Sequence, residues 1–297
     1  MTVQTWQGTR VVVTGASSGI GAALARTLAA AGADIVIVAR RAELLDAVRS
    51  ECEERGARCH AITCDLADLD AVDRFAAQAL DVLGGVDVHI EGLGREPIDG
   101  VEVDRFAAQA LDVLGGVDVL FNNAGGGTVR AALDTPWDEL EYLDRLNYLS
   151  PVRLTRALLP SMLERGSGSV STVSSMAARW STPGEASYAA PKAALAAYFE
   201  ALASELWYSG VSFHVVFPAL IGLAPDVDGP DSLADSRNPS REIPAPVLAR
   251  AMMRQVEQGA FELYMPSTQR EQVAARAAAV ESTVKFMADW YRDGGNH

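Results

Sequence analysis

A serine, a tyrosine and a lysine in the middle of the chain have the types and spacing needed for acid–base chemistry. Tyr188 and Lys192 are four residues apart, so on a helix they share one face, one turn from each other. A neighbouring ammonium favours the phenolate, which predicts that the pKa of Tyr188 is lowered from about 10 in water. Ser175, thirteen residues upstream of Tyr188, adds a hydroxyl that could hold a substrate oxygen against the phenol. Together these side chains predict a proton-transfer site that works near neutral pH.

A glycine-rich turn near the amino terminus predicts where a nucleotide binds. An apolar strand at 10–14 runs into this turn, a helix follows from about 20 to 31, and a second strand covers 34–39. Strand, glycine turn, helix and strand within about 30 residues form the βαβ nucleotide-binding unit. Its glycines let the backbone approach a pyrophosphate, while the helix amino end supplies N–H groups. The candidate cofactor residues of the turn are Gly15, Ser17, Ser18, Gly19, Ile20 and Gly21.

The residues that follow the second strand indicate which dinucleotide is bound. A carboxylate at that point would accept hydrogen bonds from the adenosine ribose and repel a 2′-phosphate. The sequence instead has Arg40 and Arg41, whose guanidinium groups suit a phosphate through charge-assisted hydrogen bonds. An alternative for Arg41 is a surface position on the next helix. The pair favours NADP(H) over NAD(H).

Further strands and helices alternate along the chain, which predicts an α/β fold. The remaining predicted strands are 60–64, 117–121, 169–174, 211–217 and 261–265. The predicted helices between them cover about 42–55, 136–164 and 245–258, a further helix contains Tyr188 and runs to about 208, and another helix follows the last strand. We expect a Rossmann-type, doubly wound parallel sheet of about seven strands with helices on both faces, in a single domain over residues 1–297. The polar segment 218–244 is predicted to be a loop at the substrate site.

The sequence also contains an internal repeat, because residues 72–88 and 103–119 are identical at a spacing of 31. Solenoid repeats need several units and diverge between copies, so a local tandem duplication is the better explanation. Each copy encodes an amphipathic helix, a Gly-Gly turn and the start of a strand. Only the second copy runs directly into Asn122, which assigns strand four to 117–121. Both copies remain candidates for the packed helix before that strand.

Composition excludes several functions and compartments. A formal net charge of −14 argues against binding to nucleic acids and to anionic membranes. No apolar stretch approaches the roughly 18 residues that span a bilayer, and residues 1–8 lack the features of a secretory signal. Cys52, Cys59 and Cys64 could join His60 in a metal site, but adjacent strand residues point to opposite faces. Reduced cysteines in a cytoplasmic protein, without a metal, are therefore expected.

Taken in order, these motifs resemble those of the short-chain dehydrogenase/reductase family, in its shorter, single-domain branch. The matching elements are Thr14-Gly15-xxx-Gly19-x-Gly21, Asp65, Asn122-Asn123-Ala124-Gly125, Asn147, Ser175 and Tyr188-xxx-Lys192. The resemblance covers about residues 8–222, at the family's usual spacings once the duplication is removed. It implies hydride transfer between a nicotinamide cofactor and a carbonyl or alcohol, that is, an NADP(H)-dependent carbonyl reductase acting on a small or apolar substrate. It also implies a homodimer or homotetramer.

The resemblance further implies a role for each site residue. Tyr188 would exchange the proton with the substrate oxygen, which Ser175 would orient. Lys192 would bind the nicotinamide ribose and lower the tyrosine pKa, and Asn147 would hold a water in a proton relay. The other implied cofactor contacts are Asp65, Leu66, Asn123, Ala124, Gly125, Pro218 and Ile221.

After strand six the sequence departs from the family pattern. Ala219 and Leu223 stand where the family usually has a glycine and a threonine. Alanine restricts the backbone relative to glycine, and leucine lacks the hydroxyl expected near the nicotinamide amide. Backbone groups of Leu220 or Ile221 are the expected substitutes.

Two other functions remain open from the sequence. One is a non-catalytic, cofactor-binding regulatory protein, whose mark would be a lost tyrosine or lysine. The other is an epimerase or dehydratase of the family's longer branch, which has differently spaced glycines. The apolar candidates for the substrate pocket are Met176, Trp180, Leu220 and Leu223. An amphipathic stretch at 270–291 could cover the active site, contact a partner subunit or close the core.

Overall fold

A seven-stranded parallel sheet organises the protein, and a computed structural model describes residues 3, 5–82, 116–222 and 242–293. The strands in chain order are β1 (Arg10–Thr14), β2 (Asp34–Ala39), β3 (Cys59–Thr63), β4 (Val119–Asn122), β5 (Gly168–Val173), β6 (Val211–Pro218), β7 (Ile221–Gly222), β8 (Ile243–Pro244) and β9 (Glu262–Met265). Across the main sheet their order is β3-β2-β1-β4-β5-β6-β9, with every neighbouring pair parallel. The short strands β7 and β8 pair with each other.

Helices cover both faces of this sheet. They are α1 (Gly19–Ala30), α2 (Ala42–Glu54), α3 (Leu69–Val82), α4 (Trp137–Asp144), α5 (Ser150–Glu164), α6 (Ala186–Glu205), α7 (Ala245–Gln258), α8 (Gln269–Ala278) and α9 (Val280–Arg292). Helix α1 packs against α2 and α7 over one face, and α3 packs against α5 over the other. The expected doubly wound α/β architecture is confirmed.

The apolar runs of the sequence form the central strands because the sheet is buried on both faces. Val11 and Val13 belong to the core under α1 and α7, whereas Val12 belongs to the core under α3 and α5. In β2, Ile35 and Ile37 point to the first core, and Val36 to the second. A strand buried on both sides carries no polar alternation, which explains the uninterrupted runs.

The two copies of the repeat contribute different elements. The first copy supplies α3, whose Val72, Phe75, Ala76 and Ala79 are buried against the sheet. The second copy supplies the start of β4, which begins at Val119 and ends at Asn122 rather than covering 117–121. Residues 83–115, which include most of the second copy and the end of the first, lie outside the described residues.

Other predicted elements are more divided than expected. The single helical region at 136–164 consists of α4, a π-helical turn at Arg145–Leu149 and α5. Strands β7 and β8 form at the two ends of the predicted loop 218–244, of which residues 223–241 lie outside the described part.

The carboxy-terminal stretch forms two helices, α8 and α9, which meet at Ala279. Val284 and Phe286 on α9 are 60% and 61% exposed. These two side chains therefore do not close the core, which was one of the three roles considered for this stretch. None of the helices in the described ranges is long and apolar enough to cross a membrane.

Candidate active site

Ser175 and Tyr188 meet where β5 ends and α6 begins. The chain leaves β5 at Val173 and enters a short 3-10 helix at Met176–Ala178, whose amino end is capped by the Ser175 hydroxyl accepting from the Ala177 N–H at 3.1 Å. Tyr188 lies in the first turn of α6, and the Ser175 side chain is close enough to its phenol to lower the pKa of that phenol. The proposed proton donor and the proposed orienting hydroxyl are therefore neighbours.

Ser174 has a different environment from its neighbour. Its buried hydroxyl donates to the backbone carbonyl oxygen of Lys192 at 2.8 Å and so joins the end of β5 to α6. Adjacent residues at the end of a strand point in opposite directions, which separates the two serines. Ser175 is the serine that contacts Tyr188.

Lys192 follows Tyr188 by one turn and is almost completely buried, with 3% of its surface exposed. Its ammonium donates to the Val173 carbonyl oxygen at 2.9 Å and lies 5.9 Å from the centre of the Tyr188 ring. Burial lowers the pKa of Lys192 to about 8, because a charge loses its hydration in the interior. Below about pH 8, therefore, the Lys192 side chain is mostly protonated and places a positive charge next to the phenol.

The pKa of Tyr188 changes in the direction opposite to the prediction from Lys192. Burial raises this pKa above its usual value of 10, and the Glu185 carboxylate adds to the rise. The nearby Ser175 hydroxyl acts the other way, but it is the smaller effect. The expected lowering of this pKa is wrong, because desolvation of the phenol is the largest effect. Tyr188 is consequently protonated at neutral pH.

Asn147 lies in the π-helical turn between α4 and α5 and has no exposed surface. Its side-chain oxygen accepts from the Gly126 N–H at 3.2 Å, and its amide nitrogen donates to the Gly126 carbonyl oxygen at 2.8 Å and to that of Leu143 at 3.0 Å. Single π-turns within helices frequently occur at functional sites. Here the turn directs the asparagine side chain onto the loop that follows β4.

The glycine turn after β1 packs tightly against the loop after β4. Gly15 adopts a positive φ of 69°, and a Cβ on Gly21 would lie 2.5 Å from the Gly15 carbonyl oxygen and 2.6 Å from the side-chain nitrogen of Asn123. The Thr14 hydroxyl accepts from the backbone N–H groups of Asn123 at 2.9 Å and Ala124 at 2.8 Å. β1 and β4 are neighbours in the sheet, at the point where the strand order reverses, which is where open α/β sheets bind ligands.

The two arginines after β2 occupy different positions beside this turn. Arg41 donates to the Ser17 hydroxyl at 3.0 Å and to the Ser18 hydroxyl at 2.6 Å, at the amino end of α1. Arg40 lies 3.9 Å from the Asp65 carboxylate and 5.9 Å from the centre of the Tyr142 ring. Both arginine side chains are exposed.

This donor set fits the phosphates of a dinucleotide. The first turn of α1 contains no acidic residue, so its N–H groups and the partial positive charge of the helix end are not opposed there. The guanidinium of Arg41 extends the same positive surface. Of the two candidate cofactor contacts after β3, Asp65 is exposed and Leu66 is buried.

The residues predicted near the nicotinamide amide take part in pairing around β6. Pro218 ends β6, the Ala219 N–H donates to the Met265 carbonyl oxygen at 2.8 Å, and the Leu220 carbonyl oxygen accepts from Ile243 at 3.1 Å. Ile221 begins β7. Leu223 lies outside the described residues, so its predicted effect on the amide stays a prediction.

Two glycines next to the site, Gly126 and Gly127, were not singled out from the sequence. The signal for the glycines was the run of three at 125–127, of which only the first belongs to the motif that carries the resemblance.

The family follows from the match to known proteins. The family model described as short chain dehydrogenase matches residues 9–99 and 97–227, so that each matched segment contains one copy of the repeat. The chain therefore belongs to the short-chain dehydrogenase family.

Individual relatives agree with this assignment. The chain is 35% identical over 221 residues to an uncharacterized oxidoreductase of Mycobacterium tuberculosis and 34% identical over 221 residues to a fatty acyl-CoA reductase of the same species. These matches cover 72% of this chain but only 55% and 63% of the relatives, so the chain spans little more than half the length of the first.

Solved structures give the same family at nearly full length. A short-chain dehydrogenase from Streptomyces avermitilis is 28% identical, with a TM-score of 0.72 over 96% of this chain and 97% of its own. A metagenomic short-chain oxidoreductase in complex with NADP is 27% identical, with a TM-score of 0.66 over 87% of this chain and 96% of its own. The chain thus has the fold of these short-chain dehydrogenases.

Proposed function

We propose that this protein interconverts a carbonyl and an alcohol on a small or apolar substrate, with NADP(H) as cofactor and Tyr188 as the acid and base. The observation that carries the proposal is the grouping of Tyr188 with the neighbouring Ser175 hydroxyl and with the buried Lys192 ammonium, which lies 5.9 Å from the centre of the tyrosine ring. A regulatory protein without catalytic activity would have no need for a lysine cation as deeply buried as that of Lys192.

The proposed reaction divides a hydride and a proton between two groups. When bound, the nicotinamide cofactor supplies the hydride that reaches the carbonyl carbon. Ser175 holds the carbonyl oxygen by a hydrogen bond, and Tyr188 gives that oxygen its phenolic proton, so that C=O becomes CH–OH. The Lys192 ammonium stabilises the phenolate that remains. In the oxidation direction the phenolate takes the proton back.

The preference for NADP(H) rests on the two arginines after β2. Arg41 is directed onto the serines of the glycine turn, next to the first turn of α1. A 2′-phosphate near this point would receive charge-assisted hydrogen bonds from a guanidinium. The similar metagenomic oxidoreductase was solved with NADP, which supports the same choice.

Three broader features are part of this proposal. The chain works as a single domain, since strands from both ends of the described sequence belong to one sheet. It works in the cytoplasm, where its free cysteines Cys52, Cys59 and Cys64 would stay reduced. It forms a homo-oligomer through α5 and α6, the two long helices on either side of β5, as its family resemblance implies.

A substrate panel with a matched variant tests the function. NADPH and NADH oxidation would be followed with ketones, aldehydes and, because one relative is named a fatty acyl-CoA reductase, fatty aldehydes and acyl-CoA thioesters. Tyr188→Phe should lower the rate about a hundredfold or more, the usual contribution of a positioned proton donor. Full activity of Tyr188→Phe would contradict the mechanism, and a clear preference for NADH would contradict the cofactor assignment.

A further inference from the structure

Gly127 lies directly against the ring of Tyr188. A Cβ built on Gly127 would be 2.6 Å from Cδ2 of the tyrosine, 2.9 Å from Cγ and 3.3 Å from Cβ. Real Cβ atoms do not approach other heavy atoms to 2.6 Å, so an alanine at position 127 requires the ring or the loop to move. The backbone of Gly127 does not have the positive φ that would by itself require glycine. The missing side chain therefore matters for packing on the tyrosine.

The segment that carries Gly127 is anchored on both sides. On one side, the Asn147 side chain binds both the N–H and the carbonyl oxygen of Gly126. On the other side, the Arg130 N–H donates at 2.8 Å to the carbonyl oxygen of Gly184, in the turn that precedes α6. With both ends attached to different elements, the loop cannot easily give way to an added methyl group. The ring of Tyr188 would have to move instead.

The three consecutive glycines have different neighbours. A Cβ on Gly125 would lie 2.9 Å from both the Asn147 side-chain oxygen and the Lys192 ammonium nitrogen. A Cβ on Gly126 would meet only a methyl group of Leu146, at an ordinary contact distance of 3.5 Å. The close approach to Tyr188 therefore belongs to Gly127, and position 126 offers a control of the same residue type one step away.

We propose that Gly127 is a positioning residue for Tyr188: its lack of a side chain lets the anchored segment 126–130 lie on the phenol ring and fix the ring beside Ser175. The proposal rests on the proposed function in assigning Tyr188 the proton transfer. Asn147 contributes to the same positioning through the backbone of Gly126. A displacement of about 1 Å in a reacting group can cost on the order of a hundredfold in rate.

The kinetic test compares Gly127→Ala with Gly126→Ala, which keeps the backbone groups that Asn147 binds. In Gly127→Ala we expect kcat to fall about a hundredfold while KM and the Kd for NADPH stay close to the wild type. We also expect the pH dependence of kcat to move, because a displaced phenol lies differently relative to Ser175, which lowers the pKa of Tyr188. A general structural defect would instead change both glycine variants alike. A kcat for Gly127→Ala within threefold of that for Gly126→Ala would overturn the proposal.

A spectroscopic test separates this proposal from the proposed function. With ¹³C-labelled tyrosine, the Tyr188 resonance is identified by its loss in Tyr188→Phe. Gly127→Ala should shift that resonance, and Gly126→Ala should leave it in place. If Tyr188→Phe were fully active, the proposed function would fail, yet the resonance would still decide whether Gly127 positions the ring. An unchanged resonance in Gly127→Ala would overturn the positioning role whatever the activity.

A double-mutant cycle covers the case in which Gly127→Ala folds poorly. Removing the ring with Tyr188→Ala should relieve the contact, so the loss of Tm caused by Gly127→Ala should be clearly smaller in the Tyr188→Ala background. An equal loss of Tm in both backgrounds would show that position 127 does not act through Tyr188, and would overturn the proposal.

Discussion

The ammonium of Lys192 donates to the carbonyl oxygen of Val173 at 2.9 Å, which attaches a buried cation on α6 to the end of β5. Burying a charge with one hydrogen-bond partner is unfavourable for folding, and the lowering of its pKa to about 8 measures that cost. A lysine at this buried position therefore makes the folded state less stable. We infer that its value lies in the chemistry of the neighbouring phenol.

Replacing Lys192 should therefore stabilise the protein while inactivating it. Lysine has a pKa of about 10.4 when unfolded, so a folded value of about 8 opposes folding by about 3 kcal/mol at pH 7. Lys192→Met removes that cost and loses a hydrogen bond worth about 1 kcal/mol. We expect a net gain of roughly 2 kcal/mol at pH 7 in urea unfolding, together with a loss of activity.

The sign of the pH dependence provides the check. Between about pH 8 and 10.4 the unfolded chain binds more protons at this lysine than the folded protein does, so the contribution of Lys192 to stability rises with pH. The advantage of Lys192→Met should thus shrink as the pH approaches 10. Lys285→Met, at the other lysine of the sequence, is the matched control, because that side chain is 75% exposed. Equal effects of the two substitutions would contradict the prediction.

Glu185 should contribute to the alkaline limit of the reaction, after the larger effect of burial. Its carboxylate adds to the raised pKa of Tyr188, so Glu185→Gln should lower that pKa. Reduction needs the protonated phenol, and its rate should begin to fall at a lower pH in the variant. Oxidation needs the phenolate, and its rate should reach a plateau at a lower pH. Profiles of kcat in both directions provide the measurement, and Glu200→Gln, further along α6, is the control. A profile that moves to higher pH would contradict the assignment.

The two arginines after β2 should contribute unequally to NADPH binding. Arg41 lies against the serines of the glycine turn, whereas the charge of Arg40 is partly balanced by Asp65. Loss of a charge-assisted hydrogen bond costs about 1.5–3 kcal/mol, so Arg41→Gln should raise the Kd for NADPH roughly tenfold to a hundredfold. Arg40→Gln should raise it less.

Titration with NADH in parallel isolates the contribution of the phosphate. Neither substitution should change the Kd for NADH by more than about threefold, because that cofactor lacks the 2′-phosphate. The effect of Arg41→Gln on NADPH should also decrease at high salt, as expected for an exposed charge. Equal weakening of both cofactors would indicate a general role in the turn and would contradict phosphate recognition.

Strong local signals allowed much of the fold to be predicted from the sequence. The apolar run at 34–39 coincides with β2, and the helix predicted at 245–258 coincides with α7. Those segments are determined by burial on both faces of a sheet and by helical periodicity, which are properties of consecutive residues. The contact of Tyr188 with Ser175 also agrees with the spacing argument, because one strand end and one helix start fix both residues.

Contacts between distant segments could not be predicted in the same way. The packing of Gly127 on Tyr188 joins residues 61 positions apart, and no local pattern encodes it. The pKa of Tyr188 was predicted in the wrong direction because sequence spacing gives the distance to Lys192 but not the depth of burial. The sequence also could not show which copy of the repeat forms the packed helix α3, since identical segments have identical propensities.

Deleting the 31-residue repeat unit should leave a folded and active enzyme. The first copy already supplies α3 and the second supplies the approach to β4, so removing 86–116 joins Gly85 directly to Val117 in the sequence. The resulting sequence keeps each packed residue of α3 and β4. A shorter connection also loses less entropy on closure, which should favour the folded state slightly. We expect an equal or higher Tm and an unchanged Kd for NADPH. A deletion of 72–82 instead removes the part of the first copy that lies within α3, and it should be less stable. Failure of the 86–116 deletion to fold would show that the additional segment has become part of the structure.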